Sequence, residues 1–318
     1  MTLLAGLDVG TSSVKGLLVS ADDGVIVACA EVEHPLSTPR PGWAEQDPGD
    51  WWSGAEAVLA ALGGEGEIAG IGLSGQMHGL VALDASGRVL RPAMLWNDGR
   101  TGAECAEIEQ RVGLEALIAA TGNRALPGFT APKLRWLARH EPRVYARNHQ
   151  VLMPNDYVRL RLCGEVATDV ADASGTLLFD VAQRRWSDRV VAALEVDPAW
   201  LPPALESPQV SGVTAGGAPV AAGAGDQAAG ALGVGVDRPG PASVVLGTSG
   251  VVFAATGTPP AVTPLTCGDS SAGGSHAGST SSAATTRSLQ RRCATSNSSV
   301  PEASATSVAS SPHRRRRT

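Results

Sequence analysis

The chain has 318 residues, 43% of them apolar, and its 31 acidic against 25 basic side chains leave a net charge of −6. That length and apolar share suffice for two ordinary domains with sizeable cores. The acidic balance excludes the global basic field that binds nucleic acid or anionic membrane, and no apolar run reaches the length of a bilayer-spanning helix.

The N-terminus MTLLAGLDVG has no basic stretch ahead of its apolar run, so a cytoplasmic location is expected. Five cysteines, Cys29, Cys105, Cys163, Cys267 and Cys293, form no CxxC pair. Their odd number fits thiols in a reducing compartment rather than disulfides or a zinc site.

In chain order, Leu3 to Val9, Val14 to Ser20 and Val25 to Val32 are β-rich runs joined by tight turns, which predicts a meander. Asp47-Pro48 then caps a helix from about Gly49 to Leu62, with Asp47 as N-cap and Pro48 at the first helical position. Ile68 to Leu73, Leu80 to Leu83 and Ala93 to Trp96 follow as short apolar strands. Helical patterns cover Arg100 to Arg111, Leu114 to Thr121, Ala131 to His140 and Pro154 to Leu162. Val220 to Ala222 and Val244 to Leu246 read as buried strands, each expected to enter a Gly-rich turn. Strands, then helices, then strands predict an α/β fold with a mixed sheet.

Residues 258–318 differ sharply from the rest. Their only larger aliphatic residues are Val262, Leu265, Leu289, Val300 and Val308, and seven arginines stand against Asp269 and Glu302. Such a segment cannot bury enough apolar surface to offset its ordering entropy, so disorder is expected. The four arginines Arg314 to Arg317 are read as solvated, not as a nucleic-acid contact. The whole chain has 23 arginines and two lysines, Lys15 and Lys133. That usage suits a GC-rich gene, of which the Ser, Thr and Arg tail reads as out-of-frame translation, with a genuine regulatory tail as the alternative.

Four turns carry candidate chemistry. Asp8-Val9-Gly10-Thr11-Ser12-Ser13 joins two strands, so it is neither a P-loop nor a dinucleotide fingerprint. Gly10 lets backbone approach an anion, Thr11 and Ser12 offer donors, and Asp8 suits Mg²⁺. Leu246-Gly247-Thr248-Ser249-Gly250 repeats the pattern, and two such hairpins suit the phosphates of one nucleotide. Gly223-Ala224-Gly225-Asp226-Gln227 places a lone acid after a strand between small residues, either an N-cap or a catalytic group. Ser74-Gly75-Gln76-Met77-His78-Gly79 brackets a polar pair with glycine at a strand end, a polyol-recognition pattern or a structural turn.

These segments stand in order with Gly42-Trp43-Ala44-Glu45-Gln46-Asp47-Pro48, Leu95-Trp96-Asn97-Asp98-Gly99-Arg100, Gly128-Phe129-Thr130-Ala131-Pro132-Lys133-Leu134 and Pro154-Asn155-Asp156-Tyr157. Together, over about residues 3 to 256, they resemble the FGGY carbohydrate kinases. The Gln-Met-His-Gly and Trp-Asn-Asp-Gly-Arg segments point within that family to its xylulokinase branch.

The resemblance implies an α/β, actin-like and ribonuclease-H-like ATPase fold. Its complete N-terminal, sugar-binding domain would span 1–222, a truncated ATP-binding domain would begin over 223–257, and the tail would occupy 258–318. The implied activity is phosphorylation of D-xylulose at its 5-hydroxyl, with ATP and Mg²⁺ as cofactors and impaired turnover in this chain. Asp226 would be the catalytic base, and Gln76, Met77, His78 and Asp156 would bind substrate. Gly10, Thr11, Ser12, Gly247 and Thr248 would hold nucleotide phosphates, and Asp8 the metal. Another sugar or polyol kinase of the family, or an inactive sugar-binding fragment, remains the alternative. No nucleic-acid or membrane partner is expected, and a homodimer is the candidate assembly. Ser211 to Pro219 is shorter than the family pattern leads one to expect.

Overall fold

The computed structural model describes residues 1–246 and 250–257; Gly247 and Thr248, expected on a phosphate hairpin, and the 258–318 tail lie outside the described residues. The expected meander forms as Leu3–Val9, Ser13–Ser20 and Ile26–Glu33, paired antiparallel. Strand Ile68–Gly75 adds parallel to Leu3–Val9, and Pro219–Ala221 adds parallel to Ile68–Gly75. Val210–Val213 closes the far edge as a hairpin with Pro219–Ala221. The compressed passage 211–219 is therefore the two arms and turn of this hairpin. The result is a mixed sheet, as alternating runs of strand and helix pattern predict.

Helix Pro48–Leu62 covers one face of the sheet. The Asp47 carboxylate accepts the Gly49 N–H at 2.8 Å and caps the helix as the Asp-Pro pair predicts. Trp51, Ala55, Val58 and Leu62 recur at helical spacing and are buried to 1% exposure or less. Burying each large apolar side chain contributes on the order of 1.5–3 kcal/mol. The helix seats against Gly16, where a Cβ would lie 2.3 Å from Val58 Cγ1. Helix Pro154–Cys163 packs beside it on the same core. A second core gathers Leu80, Met94, Ile108, Leu117, Leu134 and Leu137 under helices Gly102–Val112, Leu114–Thr121 and Thr130–His140.

Three parallel segments leave the sheet in register. Val9 pairs Gly75, and Gly225 of the short strand Ala224–Gly225 also pairs Gly75. The turns that follow, at Gly10, Gln76 and Asp226, emerge together at the carboxyl ends of parallel strands, where open α/β sheets place ligands. Among the described residues no helix is long and apolar enough to cross a membrane. Among the described residues Cys29, Cys105 and Cys163 are free thiols.

Candidate active site at the carboxyl edge of the sheet

The first turn is tight because Gly10 N–H donates to Ser13 O at 3.0 Å; a Cβ on Gly10 would sit 3.1 Å from that oxygen. Ser12 is exposed and Thr11 partly so. Thr11 Oγ1 donates to Gln76 Oε1 at 3.3 Å and accepts Trp96 Nε1 at 2.9 Å. Gln46 Nε2 donates to Thr11 O at 2.6 Å. Three separate family-like segments thus brace one hairpin.

Gln76 belongs to that brace. It is 1% exposed, and its Nε2 donates to Gly10 O at 3.3 Å and Gln46 Oε1 at 3.0 Å. Both amide hydrogens of Gln76 are thus spent inside the protein, on the Gly10 carbonyl and the Gln46 side chain. Asp156 is likewise engaged by protein groups. It is fully buried, with Oδ1 accepting Arg159 Nη1 at 2.6 Å and Oδ2 accepting Met153 N–H at 3.1 Å.

Met77 and His78 continue the same turn and pack against Gly225 and Gly175. A Cβ at Gly225 would lie 2.6 Å from Met77 Cγ, so the residue preceding Asp226 must be glycine for the two turns to meet. His78 has φ +67°, a left-handed backbone that costs a non-glycine residue about 1–2 kcal/mol. Its ring stands edge-on to Phe129 with centroids 4.8 Å apart. Burial and the Lys133 charge push the imidazole down to about 3, so it is neutral at physiological pH. Nδ1 lies 2.7 Å from Gly175 O. A neutral ring facing a carbonyl must carry its proton on Nδ1, which leaves Nε2 as an acceptor.

Asp226 opens helix Asp226–Gly233 as its first residue, and Gly225 stands at the cap. The capping alternative therefore does not describe it. Burial pushes its carboxyl up to about 6, the Asp8 charge adds to the rise, and hydrogen bonding from Gln227 opposes it. Asp8 is likewise raised by burial, against Ser74 and Lys15. Ser74 Oγ donates to Asp8 Oδ1 at 3.1 Å. Two partly buried carboxylates that repel one another suit a Mg²⁺–phosphate pair, since this ion takes one or two carboxylates plus phosphate oxygens. No group of three or more candidate ligand side chains occurs among the described residues.

Beneath the turns lies a charged layer that the sequence reading passed over. Asp169 caps helix Val170–Ser174, accepting Ala171 and Asp172 N–H at 2.8 and 2.9 Å. Burial pushes Asp169 up to about 7, and Asp172 well above its ordinary value. Arg159 joins Asp156 to Ala167 O and Ala222 O, three residues before Gly225. The only signal in the sequence was the polar spacing of Thr168-Asp169-Val170-Ala171-Asp172, which a surface helix would share. The Trp-Asn-Asp-Gly-Arg segment is a clamp: Asp98 binds Arg100 and Ala44 N–H, while Arg100 lies 3.6 Å over the Trp43 ring centroid.

The profile of the FGGY family of carbohydrate kinases, N-terminal domain, matches residues 3–233. A xylulose kinase of Escherichia coli K12 is 45% identical over 261 residues, covering 78% of this chain and 53% of that protein. A crystal structure described as a xyloylose kinase from Brucella ovis superposes with TM-score 0.77 at 46% identity, over 81% of this chain and 55% of that one. The xylulose kinase of Rhodospirillum rubrum matches at TM-score 0.75 and 37% identity, over 78% of this chain and 54% of that one. The chain spans about half the length of these relatives. With the profile match covering most of its described residues, the chain belongs to the FGGY family of carbohydrate kinases.

Proposed function

We propose that the site serves ATP-dependent phosphorylation of D-xylulose at its 5-hydroxyl, with Asp226 as general base. The observation that carries this reading is the shared register of Val9, Gly75 and Gly225, which gathers a phosphate-type hairpin, a polyol-type turn and an acid at one sheet edge. In the transfer the 5-hydroxyl oxygen bonds to the γ-phosphorus, the bond to the β-phosphate oxygen breaks, and the hydroxyl proton passes to Asp226. Such transfer rests on positioning and on stabilising charge, with a carboxylate orienting the nucleophile.

His78 Nε2 accepts a hydrogen bond from a sugar hydroxyl, and Met77 packs the apolar face between Gly175 and Gly225. The N–H and hydroxyl groups of Gly10, Thr11 and Ser12 meet phosphate oxygens, with Gly247 and Thr248 as the matching hairpin. Asp8 would hold Mg²⁺ directly or through water, and the ion would neutralise charge on the phosphates. The setting is cytoplasmic, and a homodimer is the assembly to look for. Turnover by the 318-residue chain is weak, because the family pattern stops near residue 256.

The test is calorimetric titration of D-xylulose, D-ribulose, gluconate and glycerol, together with an ATP-coupled assay. D-xylulose should bind most tightly. Asp226→Asn should lower whatever turnover is measured by roughly 100-fold or more, with D-xylulose affinity held within a few-fold. Equal affinity for glycerol and D-xylulose would refute the substrate assignment.

A further inference from the structure

The chain contains two lysines among its 25 basic residues, and one of them, Lys133, is fully buried. Its Nζ donates to His78 O at 2.7 Å and Gly128 O at 2.6 Å. Thr130 Oγ1 donates to the same His78 oxygen at 3.2 Å. Both donors come from the first turn of helix Thr130–His140, whose start is tied down by Ala131 N–H to Thr176 O at 3.0 Å. Thr176 follows Gly175, whose carbonyl faces the His78 ring. Backbone and ring of His78 are therefore gripped by one connected unit.

The grip answers a need. His78 has left-handed backbone without being glycine, and such conformations persist only where surrounding contacts over-determine them. Gly175 leaves no slack, since a Cβ there would lie 2.3 Å from His78 Cε1. An ammonium is a compact donor that can address two carbonyls from one point, whereas a guanidinium is a planar fork matched to carboxylates. A lysine at this place, in a chain that uses arginine almost everywhere else, fits that geometry. Burial pushes the Lys133 ammonium down to about 7, Arg100 adds to the fall, and Asp98 and Asp172 oppose it.

We propose that Lys133 is a positioning residue: by clamping the His78 carbonyl it holds the left-handed turn that aims His78 Nε2 at a substrate hydroxyl. The inference rests on the reading of His78 as a sugar contact, and its test separates the two. Lys133→Met keeps length and volume but removes the donors. Calorimetry on the full chain should give about tenfold weaker D-xylulose binding for Lys133→Met, and no further weakening when it is added to His78→Ala. A double-mutant cycle reads this coupling directly. Additive losses would overturn the inference, because a merely structural residue would weaken binding whether or not the imidazole is present.

Long-range ¹H–¹⁵N spectra of the histidines supply the second arm. The wild-type His78 signals should report the neutral Nδ1–H form, and Lys133→Met should shift them and the His78 amide. Unchanged signals would overturn the clamp. Should the wild-type chain bind no D-xylulose, the sugar reading falls and these spectra still decide the clamp. If Lys133→Met does not fold, Thr130→Val removes the weaker donor alone. It should shift the same signals in the same direction by less, and an unmoved spectrum would again overturn the proposal.

Discussion

Replacing Arg159 by methionine isolates the charged layer under the turns. Arg159, Asp156, Asp169 and Asp172 are all fully buried, and Arg159 is the cation hydrogen-bonded within this layer. Nη1 binds Asp156 Oδ1 at 2.6 Å, and Nη2 binds Ala222 O on the segment that leads to Asp226. Arg159 is the leading influence that opposes the rise of Asp156 and Asp169. Removing one partner of such a pair typically destabilises by about 3–5 kcal/mol, because the remaining charge is stranded. Against a typical total of roughly 5–15 kcal/mol, a measurable folding transition should survive.

The sign with pH follows from linkage. Carboxyls raised in the folded state bind protons there that the unfolded chain has already released. Stability from these groups is therefore greatest below the ordinary value of 3.8 and falls as pH rises toward about 7, where Asp169 titrates. Without Arg159 the carboxyls rise further and the fall steepens. Urea unfolding followed by tryptophan fluorescence should show the full loss at pH 8 and a clearly smaller one at pH 5. Asp156→Leu added to Arg159→Met should recover part of it, since an apolar pair avoids the stranded charge. A loss below about 1 kcal/mol at pH 8, or one equal at both pH values, would refute this account of the layer.

Two further outcomes test the site itself. Asp8→Asn removes the second contribution to the raised Asp226 carboxyl, so its titration should move below about 6 while staying above 3.8, because burial remains; ¹³C titration of the aspartate carboxyls reads this, and an unmoved Asp226 would mean that Asp8 does not act on it. Gly223→Ala meets both a φ of +80° and a Cβ placed 2.2 Å from the Leu73 carbonyl oxygen. It should cost more than about 2 kcal/mol in urea unfolding, and a loss within 0.5 kcal/mol, the usual scatter of neutral surface changes, would contradict the turn geometry.

Much of the local architecture could be read from residue order. The meander, the Asp47-Pro48 cap and helices 102–112, 114–121, 130–140 and 154–163 follow from periodicity, turn residues and capping chemistry, all of which act within a few residues. The segments Pro142–Arg147, Val170–Ser174 and Asp188–Ala193 escaped notice because they are too short for a periodic signal. The motifs singled out the turns after Val9, Gly75 and Gly225, which the sheet register brings together, since glycine beside a polar residue at a strand end marks close backbone approach whatever the partner.

What the motifs could not assign was which way each polar group is spent. Gln76 and Asp156 lie in family-like segments, yet one braces the Gly10 turn and the other holds Arg159. Lys133 sits in a helix start that looks ordinary in sequence, and its role comes from His78, 55 residues earlier. Local preference is set by neighbours along the chain and is therefore written in the sequence. The partners of a buried charge are set by which strands share a register and how closely a helix can approach them, and only the packed structure decides that.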